Sequence, residues 1–222
     1  MWPKICVAFF LSLSLAAYAQ PVSVGRAQVT FPPGQWVDLK STDSETKYSG
    51  DLTGSIKGQM RAWGVVNEQG VLQAIVQVHS SDAVVSNANM QWNKGCKPQN
   101  SEYVHDGTKG SISALNCLRV WRSVKAEGWL QKRDPKMLES IKSKNLQAMQ
   151  ESFQILQEVG HSNGSFLFTR ALISHELLKD YSSSSEGTSL AGQPGVAWGH
   201  ELAKAAQKSV LSWGGAFEIP KL

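Results

Sequence analysis

Gly58-Gln59-Met60-Arg61-Ala62-Trp63-Gly64-Val65-Val66, followed by Asn67-Glu68-Gln69-Gly70 and then Val71-Leu72-Gln73-Ala74-Ile75-Val76-Gln77-Val78-His79, is the stretch on which the fold turns. In its second arm Leu72, Ala74, Val76 and Val78 fall on one side and Gln73, Gln77 and His79 on the other, the period of two of a half-buried strand. In its first arm Met60, Ala62 and Val66 share a face, and the polar link ending in Gly70 makes the turn. The stretch is therefore a predicted β-hairpin, and it anchors a sheet.

Outward from the hairpin, residues 25–31 and 35–39 read as short strands parted by Pro32-Pro33-Gly34, which cannot continue a ladder. Residues 116–124 read as a further strand carrying Cys117, with a tight turn at Asp106-Gly107 before it. The period then changes. Over residues 135–159, Leu138, Ile141, Leu146, Met149, Phe153, Leu156 and Val159 recur at helical spacing, with Asp134 as N-cap, Pro135 in the first position and Gly160 as the stop. Residues 166–174 read as a strand, the alternative being one helix running on to Tyr181. A last helix is expected over residues 198–213, ended by Gly214-Gly215. No internal repeat interrupts this order. The expected architecture is one α+β domain over residues 20–222, an antiparallel sheet mainly from the N-terminal half with two or more helices from the C-terminal half packed on it.

The first 19 residues belong to a different layout. Lys4 supplies a positive start, residues 5–17 an apolar run, and Ala17-Tyr18-Ala19 the small residues of a cleavage site, so a secretory signal is expected to be cut between Ala19 and Gln20. That run is short for a bilayer core, which needs roughly 20 apolar residues, and no stable membrane insertion is expected after cleavage. Cys6 leaves with the signal, and the remaining pair, Cys96 and Cys117, is expected to form a disulfide in an oxidising compartment. The two are too far apart in sequence for a redox C-x-x-C pair and too few for a zinc module.

Formal charge is +4, from 22 basic and 18 acidic residues. The densest basic cluster (Arg119, Arg122, Lys125, Lys132, Arg133, Lys136) spreads over a strand, a loop and a helix start. It reads as solvated surface, and nucleic acid is not an expected partner.

Candidate chemistry does not hold its context. His175-Glu176 and His200-Glu201 open like a zinc-hydrolase helix, but Lys179 and Lys204 stand where the second histidine ligand belongs. Ser189 resembles a nucleophile elbow set in a polar loop. Ser44-Glu45-Thr46-Lys47 matches a bare S-x-x-K, with Ser86-Asn87-Ala88-Asn89 and Thr108-Lys109-Gly110 as loose companions. His105-Asp106 reads as strand end and turn. Beyond the leader, which holds Trp2, seven tryptophans (Trp36, Trp63, Trp92, Trp121, Trp129, Trp198, Trp213) are scattered; two or three of them could build a carbohydrate or peptidoglycan groove. No catalytic residue, metal ligand or cofactor is assigned.

Residues 96–120, with Tyr103, Asp106 and the strand Cys117-Leu118-Arg119-Val120, resemble uncharacterised exported proteins of Gram-negative bacteria. The resemblance implies periplasmic residence, with extracellular release the alternative, and implies no site residue. The expected function is a non-catalytic envelope protein that binds a small molecule, a cell-wall component or another envelope protein in a groove between sheet and helices. The alternative is a hydrolase or transferase acting on cell-wall material, in which His105, His79 or Ser189 would converge with a carboxylate.

Overall fold

The computed structural model describes residues 20–48, 54–84, 90–92, 96–179, 181 and 193–222. The segment read as a leader, residues 1–19, together with Ser86-Asn87-Ala88-Asn89, the serine run at 182–187 and Ser189, lies outside the described residues.

The predicted hairpin is present as β4 (Gly54–Val66) and β5 (Leu72–Ser81), paired with Met60 opposite His79 and Ala62 opposite Gln77. Its turn is held by Asn67, whose side-chain oxygen accepts from the amides of Gln69 and Val71, and Gly70 takes a positive φ of 76°. β3 (Trp36–Tyr48) lines the outer side of β4, with a bulge between Asp38 and Lys40. Beyond β5 come β9 (Phe166–Ser174), β8 (Glu151–His161), β7 (Ala114–Lys125) and the short β6 (Tyr103–Asp106). The result is one antiparallel seven-stranded sheet in the order β3-β4-β5-β9-β8-β7-β6. A second, three-stranded sheet joins β1 (Val22–Val24), β2 (Ala27–Thr30) and β10 (Ala216–Glu218), the last pairing parallel with β2.

Among the described residues three helices complete an α+β fold: α1 (Ala126–Arg133), α2 (Pro135–Ser143) and α3 (Pro194–Leu211). The large sheet is buried from both sides. One face packs Ala74, Val76, Val78, Leu118, Ile155, Ala171 and Ile173 under α3 and the small sheet. The other packs Leu39, Ala62, Ile75 and Leu172 under α1 and α2. Leu72 belongs to this second core and not with Ala74. The pairing slips between Val65 opposite Ala74 and Val66 opposite Leu72, so Gln73 is an extra residue, and a bulge of that kind turns the next side chain to the other face.

The predicted helix over residues 135–159 is corrected. Its start is as expected, with Asp134 accepting from the Met137 amide and Pro135 in the first turn, but α2 ends at Ser143. Asn145 then adopts φ 56°, and β8 follows, with Gly160 inside the strand and not at a helix stop. Residues 166–174 form a strand, as read. The segment after it, 175–179, is turn and not helix. The loop expected between β7 and α2 is α1, and α3 begins four residues earlier than predicted and leaves Trp213 outside, fully exposed.

Cys96 and Cys117 are bonded, with Cα atoms 5.2 Å apart. The bridge lays the segment that starts at residue 96 against β7. No helix among the described residues is long and apolar enough to cross a membrane.

Candidate ligand-binding cleft

Strand register decides which side chains meet on the face that carries α1 and α2. Arg119 of β7 lies opposite Leu156 of β8, which lies opposite Arg170 of β9, which lies opposite Gln77 of β5. The adjoining row runs Trp121, Gln154, Leu172 and Ile75. At the β3 side these rows are covered by α2. At the β7 side they are roofed by α1, which contributes Trp129, Lys132 and Arg133. Between roof and floor is a cleft of about 460 Å³, lined also by Val124 and by Gln99 from the bridged segment. Pockets of a few hundred Å³ with apolar walls and a few placed polar groups are the usual form of small-molecule sites.

The local reasons for this arrangement are in the chain. β7 shifts register between Trp121 and Val124 yet stays paired with β8 as far as Lys125, and α1 begins directly at Ala126. Only Ala126 and Leu130 of α1 are buried, so the helix rests on one narrow seam and keeps Trp129 over the cleft. The guanidinium carbon of Arg170 sits 5.0 Å from the centroid of the Trp129 ring.

Arg119, at the β7 end of that row but outside the cleft lining, is 1% exposed, a correction to its reading as solvated surface. Its guanidinium pairs with Glu158 and its Nε donates to the Lys97 carbonyl at 2.6 Å. The rest of that basic cluster separates: Arg122 pairs with Glu102, and Lys125 and Lys136 are exposed away from the cleft, while Lys132 and Arg133 stand at its rim. Among the described residues the lining holds no serine, cysteine, histidine or carboxylate.

No family model matches the chain, and no curated protein matches it. Among solved structures it is similar to a crystal structure assigned to the GntR family of transcriptional regulators, with 10% identity and a TM-score of 0.28 over 65% of this chain. The chain spans 56% of that protein's length, and a likeness this slight carries no argument about fold or function.

The residues singled out from sequence are placed elsewhere. Ser44 lies within β3, not at the helix start that an S-x-x-K nucleophile requires, yet its hydroxyl is 2.6 Å from His79 Nε2. His79 is packed edge-on against Phe166 and Phe168, and burial pushes its pKa down to about 4. Burial makes the ring a weaker base than a free imidazole, and none of its described partners is a carboxylate that would orient it toward serine. The pair reads as structural, a hydroxyl hydrogen-bonded to a neutral ring. Because the folded pKa lies below the unfolded value near 6.5, the unfolded chain binds the extra proton between those limits. Stability is thus complete above pH 6.5 and falls as the pH drops toward 4, by roughly 2 to 3 kcal/mol for this partly shielded group. In urea unfolding at pH 7, 5.5 and 4.5, His79→Gln is expected to flatten that slope; an unchanged slope would assign it to other groups.

His105 meets His200 of α3 with ring centroids 5.0 Å apart, and the Tyr103 hydroxyl lies 2.7 Å from His200 Nε2. Burial pushes Tyr103 up and His200 down, and His105 and Lys204 press His200 further the same way. Asp106 takes no part, because it accepts from Thr108 and from the Gly110 amide and so closes the turn. The Thr108 hydroxyl holds its carboxyl below the usual carboxylate range. His175 rests on Phe153 and the Arg122 carbonyl, and Glu176 pairs with Lys179 on an exposed turn. Among the described residues no three metal-ligating side chains come together.

Sequence reasoning missed the two features that make the cleft, Arg170 and the placing of Trp121 and Trp129 in one lining. The signal for the first was present: one cation inside Phe166-Leu167-Phe168-Thr169-Arg170-Ala171-Leu172-Ile173, a strand otherwise fit for burial.

Proposed function

We propose that this is an exported envelope protein, periplasmic in residence, that binds its ligand without chemistry in the cleft between the seven-stranded sheet and α1. The observation that carries the reading is the lining: two tryptophans and three cations around about 460 Å³, with no nucleophile and no acid–base pair among the described residues. Export rests on the leader-like residues 1–19, on the disulfide, and on the resemblance to exported proteins of Gram-negative bacteria.

Two of the tryptophans sit in the cleft, so its occupancy is visible in intrinsic fluorescence. Titration with soluble cell-wall fragments is expected to give a saturable change, and Trp129→Ala, which removes the roof but not the core, is expected to weaken it by at least tenfold, about 1.4 kcal/mol. A panel of esterase, amidase and glycosidase substrates is expected to show no turnover. Turnover abolished by Ser44→Ala or His200→Ala would overturn the reading in favour of a cell-wall hydrolase.

A further inference from the structure

Arg170 is the group in the cleft whose charge is least answered. Its Nε is buried and makes no hydrogen bond among the described residues, and burial lowers the pKa of its guanidinium. The two carboxylates that act on it at longer range are both engaged. Asp134 accepts two bonds from Lys40, at 2.8 and 2.9 Å, and a third from the Met137 amide as the cap of α2. Glu158 is held by Arg119. Arg133 adds to the positive potential, and Lys132 stands beside it. A half-buried cation that has an aromatic face beside it but only distant, already engaged carboxylates keeps an unspent capacity for an anion.

The shape around this charge narrows the choice. A guanidinium offers a planar fork suited to two oxygens of one head group. Trp121, Trp129, Val124 and Leu156 provide apolar walls beside it, and Gln154 adds an amide that can donate or accept. We propose, resting on the reading of the cleft as a binding site, that its ligand is an amphipathic organic anion. Its carboxylate or phosphate head is gripped by Arg170, and its apolar body lies between Trp121 and Trp129.

The test uses residues 20–222 with the disulfide intact and calorimetric titration of 1-naphthoate, the neutral 1-naphthamide and inorganic phosphate. Naphthoate is expected to bind at least tenfold tighter than naphthamide or phosphate, and Arg170→Gln is expected to abolish the preference over naphthamide. If Arg170→Gln fails to fold, Lys132→Gln with Arg133→Gln on the exposed rim is expected to lower naphthoate affinity severalfold at low salt and leave naphthamide unchanged. Equal binding of naphthoate and naphthamide overturns the anion and leaves the cleft as an apolar site. Phosphate binding as tightly as naphthoate overturns the apolar body. Absence of binding by either naphthalene probe overturns the proposal, and the Trp129-dependent fluorescence response reports separately whether the cleft binds anything.

Discussion

Trp198→Ala is expected to cost about 4 kcal/mol, the largest loss from a single side chain in this fold. Trp198 is 0% exposed on α3, in the core that also holds Phe153, Ile155 and Val196, and its indole donates to the Lys221 carbonyl at 2.9 Å. Truncation removes the transfer free energy of the ring and leaves a cavity that a close-packed sheet cannot refill, which together give roughly 3 to 5 kcal/mol. The lost hydrogen bond also releases the C-terminal segment. Total stabilities lie near 5 to 15 kcal/mol, so the variant should sit close to the edge of folding. Urea unfolding should show a much lower midpoint with an unchanged slope, and Trp198→Phe, which keeps most of the volume, should lose only about a third as much. A loss below about 1 kcal/mol for the alanine variant would mean that α3 is not a principal support of the sheet.

The second large effect is expected on opening the disulfide. Cys96 and Cys117 are separated by 21 positions, and freeing a loop of that length returns roughly 3 kcal/mol of entropy to the unfolded chain. The consequence extends into the cleft, because the bridged segment supplies Gln99 to its lining and the Lys97 carbonyl to Arg119. A Cys96→Ser, Cys117→Ser variant should therefore lose both stability and cleft affinity, while a variant whose midpoint falls but whose affinity is kept would show the bridge to be a staple only. Because Cys117 is fully buried, the replacement serine also brings a polar group into an apolar place, so Cys117→Ala is the control.

Where sequence and structure part, the cause is burial on both faces. The hairpin was legible because Ala74, Val76 and Val78 alternate with Gln73, Gln77 and His79, and because Asn67 and Gly70 are turn chemistry. β8 was not, because Phe153, Ile155 and Val159 face α3 while Gln154 and Leu156 line the cleft, and a strand covered on both sides shows no clean alternation. Leu146, Met149, Phe153 and Leu156 then fell by coincidence into helical spacing behind a true helix start at Asp134. Asn145, at positive φ, is the break that spacing alone could not reveal. α1 was missed for a related reason: Gly128 interrupts it and its buried stripe is only Ala126 and Leu130. The disulfide needed only a count of cysteines. The cleft needed the sheet order, since Trp121, Trp129 and Arg170 come from three elements that no local pattern connects.

The parallel pairing of β10 with β2 carries a consequence for the timing of folding. Phe217 lies opposite Val29, and the Ile219 amide donates to the Thr30 carbonyl, so the small sheet joins parts of the chain almost its whole length apart. Pairings of such long range are formed late and slowly. Until β10 docks, β2 has no parallel partner and the α3 face lacks part of its cover, so the small sheet is the part of the fold that closes last.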